Sequence, residues 1–364
     1  MSDIVLTPQL VAAVADRLRD HAFQTWFYGD SIGFEGLIAA SDLTGNPTWF
    51  DFSHGFFRAW ASRRQPWQPD DNTAPGHAMC TVIERTGDAL LREAVIDLAR
   101  HLRARRRVGA VSITFEDTLR SLRMPYGGVK LSAEEEAQMR DPGPGIWLDC
   151  MHFDPPFFAH LERIDPGAGW SEVAVAEILA YRDLLVDAGT GLYQHFWLER
   201  TGRAYTRGWG RGQGWALLGL IDVAEHLSAT QRGAEEVRAE TLRLARLMLD
   251  WQLDDGNWWS LVHEPKSGPE SSTAAFMACA FFRGMSLGLL PQSEFAEPAE
   301  RAYRAMEANL DANGNLLGVS AAVYSALVEE HYWHVPLDRI VPWGQGPALT
   351  AAAARKAFLA TTHD

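Results

Sequence analysis

The sequence predicts an all-α protein in which helical hairpins close into a double ring. Three observations carry this expectation. From Thr7 onward, apolar residues recur at helical rather than alternating spacing through most windows. A helix stop made of glycine followed by a polar helix start appears at Thr44-Gly45-Asn46-Pro47 and returns at Thr86-Gly87-Asp88. Long loops follow every second helix or so, at Gln65 to Pro75, Met124 to Trp147, Tyr193 to Gly214 and Asp254 to Pro269. An open solenoid keeps its connections short and uniform, whereas polar and aromatic loops of this length can gather at one mouth of a ring.

The first predicted helix runs from Pro8 to Asp20, with Leu10, Val11, Val14 and Leu18 on one face. Ile32 to Asp42 and Trp49 to Arg63 make the next hairpin, and Met79 to Glu84 with Ala89 to Arg103 make another. Further predicted helices cover Trp170 to Ala188, Gln213 to Leu227, Glu235 to Leu253, Ser271 to Leu287, Glu294 to Leu310, Ala321 to Glu330 and Gly346 to Leu359. Val108 to Phe115 is the best strand candidate. Residues 1–364 are expected to form a single domain.

Composition narrows the function. Hydrophobic residues at 47% and charged residues at 22% suit a globular protein with a real core. The net charge of -14 argues against nucleic acid, because neutralising phosphates needs basic clusters. Arg103 to Arg107 reads instead as the basic end of a helix. The 14 tryptophans exceed packing needs and suggest flat apolar faces for rings, of which sugars are the commonest soluble case. Cys80, Cys150 and Cys279 are odd in number and widely spaced, so neither disulfides nor a metal site is expected, and no cofactor is called for. With no apolar run long enough for a membrane and no basic leader at Met1, the chain reads as cytoplasmic, a monomer or homodimer.

The stretch Arg207-Gly208-Trp209-Gly210-Arg211-Gly212-Gln213-Gly214-Trp215 opens directly onto a predicted helix. Alternating glycines allow close backbone approach while the large side chains between them reach outward, which reads as a binding wall. Arg211, between two indoles, offers a planar fork for a carboxylate or stacks on its own tryptophans. Asp149, in Trp147-Leu148-Asp149-Cys150-Met151-His152-Phe153, is either a helix-start carboxylate or a proton donor whose pKa is raised by apolar neighbours. His195, in Tyr193-Gln194-His195-Phe196-Trp197, is either structural or part of a site. Asp70 and Asp71 supply further carboxylates before a helix, with capping led by Thr73 as the competing explanation. Ser132-Ala133-Glu134-Glu135 is a capping box without chemistry. Asp254-Asp255-Gly256-Asn257-Trp258-Trp259 reads as a turn that could lend a tryptophan to the mouth. A nucleotide reading of the glycine run fails, since it is not GxGxxG and no lysine-serine follows.

With these residues in place, the chain resembles the unsaturated glucuronyl and rhamnogalacturonyl hydrolases, glycoside hydrolase families 88 and 105, and more the second. The carriers are the opening from Trp26 to Trp60, Asn72 to Asp88, Trp147-Leu148-Asp149, Tyr193 to Trp197, Trp209 to Trp215, Glu270 to Phe276 and Gly344-Gln345-Gly346-Pro347. The resemblance implies an (α/α)6 barrel acting on short oligosaccharides that end in a 4,5-unsaturated uronic acid. It implies that Asp149 protonates C4 and activates the water that adds at C5, with Asp71 as second carboxylate. His195, Trp209, Arg211, Trp215, Gln213 and Trp147 would then line the site. Gly127-Gly128-Val129-Lys130 keeps a lysine but lacks the histidine that many relatives place before it, and Gln213 replaces an asparagine, so Lys130 and Gln213 leave the linked sugar open. A sugar epimerase on a similar barrel and a non-catalytic sugar-binding protein are the competing readings.

Overall fold

The structure, a computed structural model, describes residues 6–24, 28–63, 75–114 and 125–361. Among these residues the helices are α1 (Pro8–Arg19), α2 (Asp30–Thr44), α3 (Thr48–Arg63), α4 (Gly76–Thr86), α5 (Ala89–Arg103), α6 (Ala133–Arg140) and α7 (Asp154–Ile164). They continue with α8 (Trp170–Leu185), α9 (Gly210–His226), α10 (Ala234–Asp250), α11 (Ser271–Ser286), α12 (Gln292–Ala308) and α13 (Pro342–Thr361).

Burial sorts these helices into two layers. In α9 every residue from Gly210 to Ala224 is buried, and α2, α7, α11 and α13 are similarly enclosed. A helix that is buried all round must lie inside. By contrast α1, α5, α10 and α12 bury single stripes, such as Leu91, Val95, Leu98 and Leu102 of α5. The inner helices pack in sequence, α2 on α4, α4 on α7, α7 on α9, α9 on α11 and α11 on α13, and α13 returns to α2. That closure makes an (α/α)6 barrel, as expected. The stop signals act as the sequence implies, with Gly45 and Gly87 at φ 71° and 66° ending α2 and α4. Asp88 accepts from the backbone N–H groups of Leu90 and Leu91 to start α5.

One helix expectation fails. Ala321 to Glu330 is not a helix but an irregular strap ending in a 3₁₀ turn at Glu329–His334. Its carbonyls are taken by tertiary donors, Ala321 by Arg211, Ala322 by Tyr126, Ala326 by Thr206 and Val323 by the His331 ring, so apolar periodicity yields to these contacts. The loops carry short strands, one pair of them at the expected position. Val108 to Phe115 becomes a small antiparallel hairpin of β1 (Arg107–Val108) and β2 (Val111–Ser112), with residues from 115 outside the described set. β3 (Gly145–Trp147), β4 (Gln194–Leu198) and β5 (Arg203–Arg207) form an antiparallel sheet, and β6 (Trp259–Leu261) pairs with β7 (Glu264–Pro269).

Glycines of α9 set how closely the inner layer packs. A methyl group on Gly219 would lie 2.0 Å from the Met151 carbonyl oxygen, and one on Gly214 would lie 2.7 Å from Phe276 Cβ. Backbone cannot yield as a flexible side chain can, so Gly219→Ala should lower stability by about 3 kcal/mol. Gly55→Ala, on an open face of α3 with nothing within 4 Å, should instead stabilise by about 0.5–1 kcal/mol. Urea unfolding midpoints of the two variants will show opposite signs; equal shifts would reject the packing argument.

Candidate active site

The β3-β4-β5 sheet assembles the site. Its register pairs Ile146 with Trp197 and Trp147 with Phe196, which brings His195 beside the start of the Leu148–His152 3₁₀ turn. On the other side Gln194 pairs with Arg207, so the chain leaves β5 through Gly208 directly into Trp209 and α9. Gly208, at φ 73°, adopts the left-handed conformation that a side chain resists, and a methyl there would meet His263 Nδ1 at 2.7 Å. Three segments distant in sequence therefore converge at one end of the ring.

At that point Asp149 Oδ2 lies 3.6 Å from His195 Nε2. The imidazole stacks obliquely on Trp209 at 4.3 Å between ring centroids, and its Nδ1 is 2.5 Å from the Tyr332 hydroxyl. If Tyr332 donates to Nδ1, the proton of His195 sits on Nε2 and faces the carboxylate, which avoids opposed lone pairs. Asp149 and His195 are both buried, yet the Asp149 side chain keeps 10% of its surface open. Tyr28 stacks on Trp343 at 4.9 Å and feels the charges of Arg211 and Asp149, while burial raises its hydroxyl pKa well above the usual value. Tyr126 stacks on His331 at 5.1 Å, and Tyr324 stands half exposed on the strap with a φ of 52°, a strained conformation for a bulky residue. The mouth is thus walled by rings around a carboxylate and an imidazole.

Several sequence candidates have other tasks. Arg211 is completely buried, its Nη1 is 3.2 Å from Glu270 Oε1 and 2.6 Å from Ser320 Oγ, and its Nη2 donates to the Ala321 carbonyl. Its guanidinium stacks over Trp209 at 4.9 Å and over Trp343 at 5.6 Å. Within the protein the charge of Arg211, expected to partner a substrate carboxylate, is met by Glu270. Trp215 is fully buried against Phe276 at 4.6 Å and His152 at 5.2 Å, so it is core rather than a face for a sugar. Gln213 holds backbone, accepting from Tyr193 N–H and donating to the Tyr193 and Trp209 carbonyls, and is not free to read a ligand. The glycines between them, apart from Gly208, lie within the first turn of α9 and face Trp209, Leu148, Phe276 and Thr273 rather than an open wall.

Trp147 stacks flat on Phe196 at 5.8 Å, and its indole N–H donates to Ser325 Oγ. Trp209 Nε1 is buried and finds no acceptor among the described residues. Lys130 is exposed. Asp71 lies outside the described residues. Trp258 is fully buried and donates to the Met248 carbonyl, so the Asp254 turn lends no Trp258 face to the mouth. Sequence reasoning missed Tyr332, which lies just past the segment read as helical, and the pairing role of Glu270, which reads as the N-cap of α11. Tyr28 sits inside a quoted stretch and Trp343 just before one, but neither carried a separate signal.

Aromatic walls around a carboxylate and imidazole at the mouth of an (α/α)6 barrel define a glycoside-processing enzyme. The chain belongs to glycosyl hydrolase family 88, whose family model matches residues 13–359. It is 23% identical over 367 residues to the unsaturated rhamnogalacturonyl hydrolase YesR of Bacillus subtilis (strain 168), covering 97% of both chains. Its fold is shared with a family 105 glycoside hydrolase of C. acetobutylicum (TM-score 0.77, 19% identity, 96% of this chain and 99% of that one). It is also shared with the unsaturated glucuronyl hydrolase of Bacillus sp. GL1 (TM-score 0.68, 18% identity, 95% and 96%).

Removing one member of a buried ion pair strands the other. Glu270→Ala should therefore cost about 3–5 kcal/mol, while Arg211→Met combined with Glu270→Leu should cost less than the two single changes summed. A double-mutant cycle by urea unfolding tests this; additive losses would show that Arg211 and Glu270 do not act as a pair.

Proposed function

We propose that this chain is an unsaturated uronyl hydrolase that removes a terminal 4,5-unsaturated uronic acid from short oligosaccharides left by a polysaccharide lyase, with unsaturated galacturonyl-rhamnose as a representative substrate. The observation that carries the reading is Asp149 Oδ2 at 3.6 Å from His195 Nε2, beside the Trp209 ring, within a family 88 barrel. The likeness in sequence to a rhamnogalacturonyl hydrolase supports the choice of representative sugar.

The chemistry follows from the double bond. Asp149 gives its proton to C4, and water adds at C5, its departing proton returning to the carboxylate. The resulting hemiketal opens, and the anomeric centre, no longer held in a ring, releases the remaining sugar as its alcohol. The bonds broken are those of an enol ether, so the separation of two carboxylates has no bearing on anomeric stereochemistry. His195 orients Asp149, and Trp209, packed between His195 and the Arg211 guanidinium, holds the imidazole in place and keeps an indole N–H with no acceptor among the described residues. Asp71 is proposed as the assisting carboxylate and Lys130 as a contact toward the linked sugar. The whole chain works as one catalytic unit. Free, buried Cys80, Cys150 and Cys279 support a reducing, cytoplasmic setting, and among the described residues no helix is long and apolar enough to cross a membrane.

Asp149→Asn keeps the shape and removes the proton donor. Its kcat on unsaturated galacturonyl-rhamnose, followed by ultraviolet loss of the conjugated double bond, should fall at least ~100-fold. Near-normal turnover would remove Asp149 from the mechanism, and an epimerised product in place of released sugar would favour the epimerase reading.

A further inference from the structure

His77 near the start of α4, His160 in α7 and His226 at the end of α9 come together where three inner helices meet. One ring nitrogen from each lies within 4.8 Å of the other two. His77 Nδ1 and His160 Nδ1 are 3.3 Å apart, about the separation of two nitrogens on one tetrahedral ion with metal–nitrogen bonds of ~2.0–2.1 Å. The His160 and His226 rings stack at 4.1 Å, and both nitrogens of His226 are buried with no hydrogen-bond partner among the described residues. An imidazole with two idle buried nitrogens is costly unless something else engages it.

Neighbouring carboxylates complete the picture. Glu84 Oε2 is 3.1 Å from His160 Nε2, and Arg163 Nε is 2.9 Å from Glu84 Oε1. A carboxylate beside Nε2 favours the tautomer with its proton there, which leaves the Nδ1 lone pair facing His77. This is the carboxylate–histidine arrangement that orients metal ligands. His77 and His226 are only half-buried, so an ion has a route in.

We propose that His77, His160 and His226 form a binding site for a divalent cation of the zinc class, tying α4, α7 and α9 together at the end of the barrel away from Asp149. His226 lies a helix length from Trp209, ~26 Å along α9 at ~1.5 Å per residue, so the site stands apart from the His195–Trp209 pair at the mouth. Three imidazoles with no thiolate and no ligating carboxylate suit Zn²⁺, Ni²⁺ or Co²⁺ and not Mg²⁺ or Ca²⁺.

The full chain, stripped with a chelator and then dialysed, should take up one Zn²⁺ per chain in calorimetric titration and gain a few degrees in Tm at saturation. His226→Asn should weaken zinc binding at least ~10-fold while leaving uronyl hydrolase turnover unchanged. X-ray absorption of the Co²⁺-loaded wild-type protein should show three imidazole nitrogens at ~2.0–2.1 Å, a result that does not depend on any variant folding. No uptake at 100-fold excess zinc over protein, an oxygen-dominated shell, or affinity unchanged in a folded His226→Asn protein would overturn the site.

Discussion

The mouth of this barrel depends on one buried charge pair. Arg211, at the first turn of α9, and Glu270, at the cap of α11, meet with no exposure to solvent. Desolvating two charges is expensive, and their mutual attraction offsets that cost only if the remaining donors and acceptors are also met. Here most of them are: Glu270 accepts from Ser272, Thr273 and the Ser320 backbone, while Arg211 reaches Ser320 and the Ala321 carbonyl and only its Nε finds no acceptor among the described residues. The pair thus fastens α9, α11 and the strap after Ser320 at one point. Its guanidinium also lies against Trp209 and Trp343, so the aromatic walls are set by the same contact.

A second polar layer holds the chemistry from beneath. His152 shares a 3₁₀ turn with Asp149, and its ring is fixed by Ser31 Oγ at 3.3 Å from Nδ1 and by Asp222 Oδ2 at 3.2 Å from Nε2. Asp222 is fully buried and lies 2.5 Å from Arg283, which also reaches Glu225. Burial alone would strip the proton from His152, yet Glu35 and Asp222 outweigh it and raise its pKa. Burial also lifts Glu35 to about 7. Acid and base are therefore balanced at the buried His152–Asp222 centre, with Arg283 and Glu225 reaching toward the surface, and a shift of the turn carrying Asp149 would disturb the layer.

The fold was legible because it rests on local signals. Glycines past Thr44 and Thr86, the Asp88 cap and the apolar runs of α9 and α11 each dictate their own element. Asp149, His195 and Trp209 were legible as residues, but their meeting was not, since it depends on the register of a small sheet whose strands read as loop. Arg211, Gln213 and Trp215 misled for one reason. A polar or aromatic side chain beside glycine looks the same in sequence whether it faces a ligand or a neighbouring helix, and only the Cβ clearances at Gly212, Gly214 and Gly219 separate the two. The strap from Ala321 failed because its backbone partners lie on other elements.

The two ends of α9 show how one helix serves unlike ends of the ring. At its start, glycines let the backbone press against Thr273, Leu148 and Phe276, so that Trp209 stands at a fixed height beside His195. At its end the packing loosens enough to admit three imidazole rings between α4, α7 and α9. Between them lies the Asp222 layer, whose negative charge is spent on Arg283 and His152. Beyond it, burial lowers the pKa of His77 and His226. A single inner helix thus carries the proton-transfer end at Trp209 and the imidazole cluster at His226, with a compensated charge layer between them.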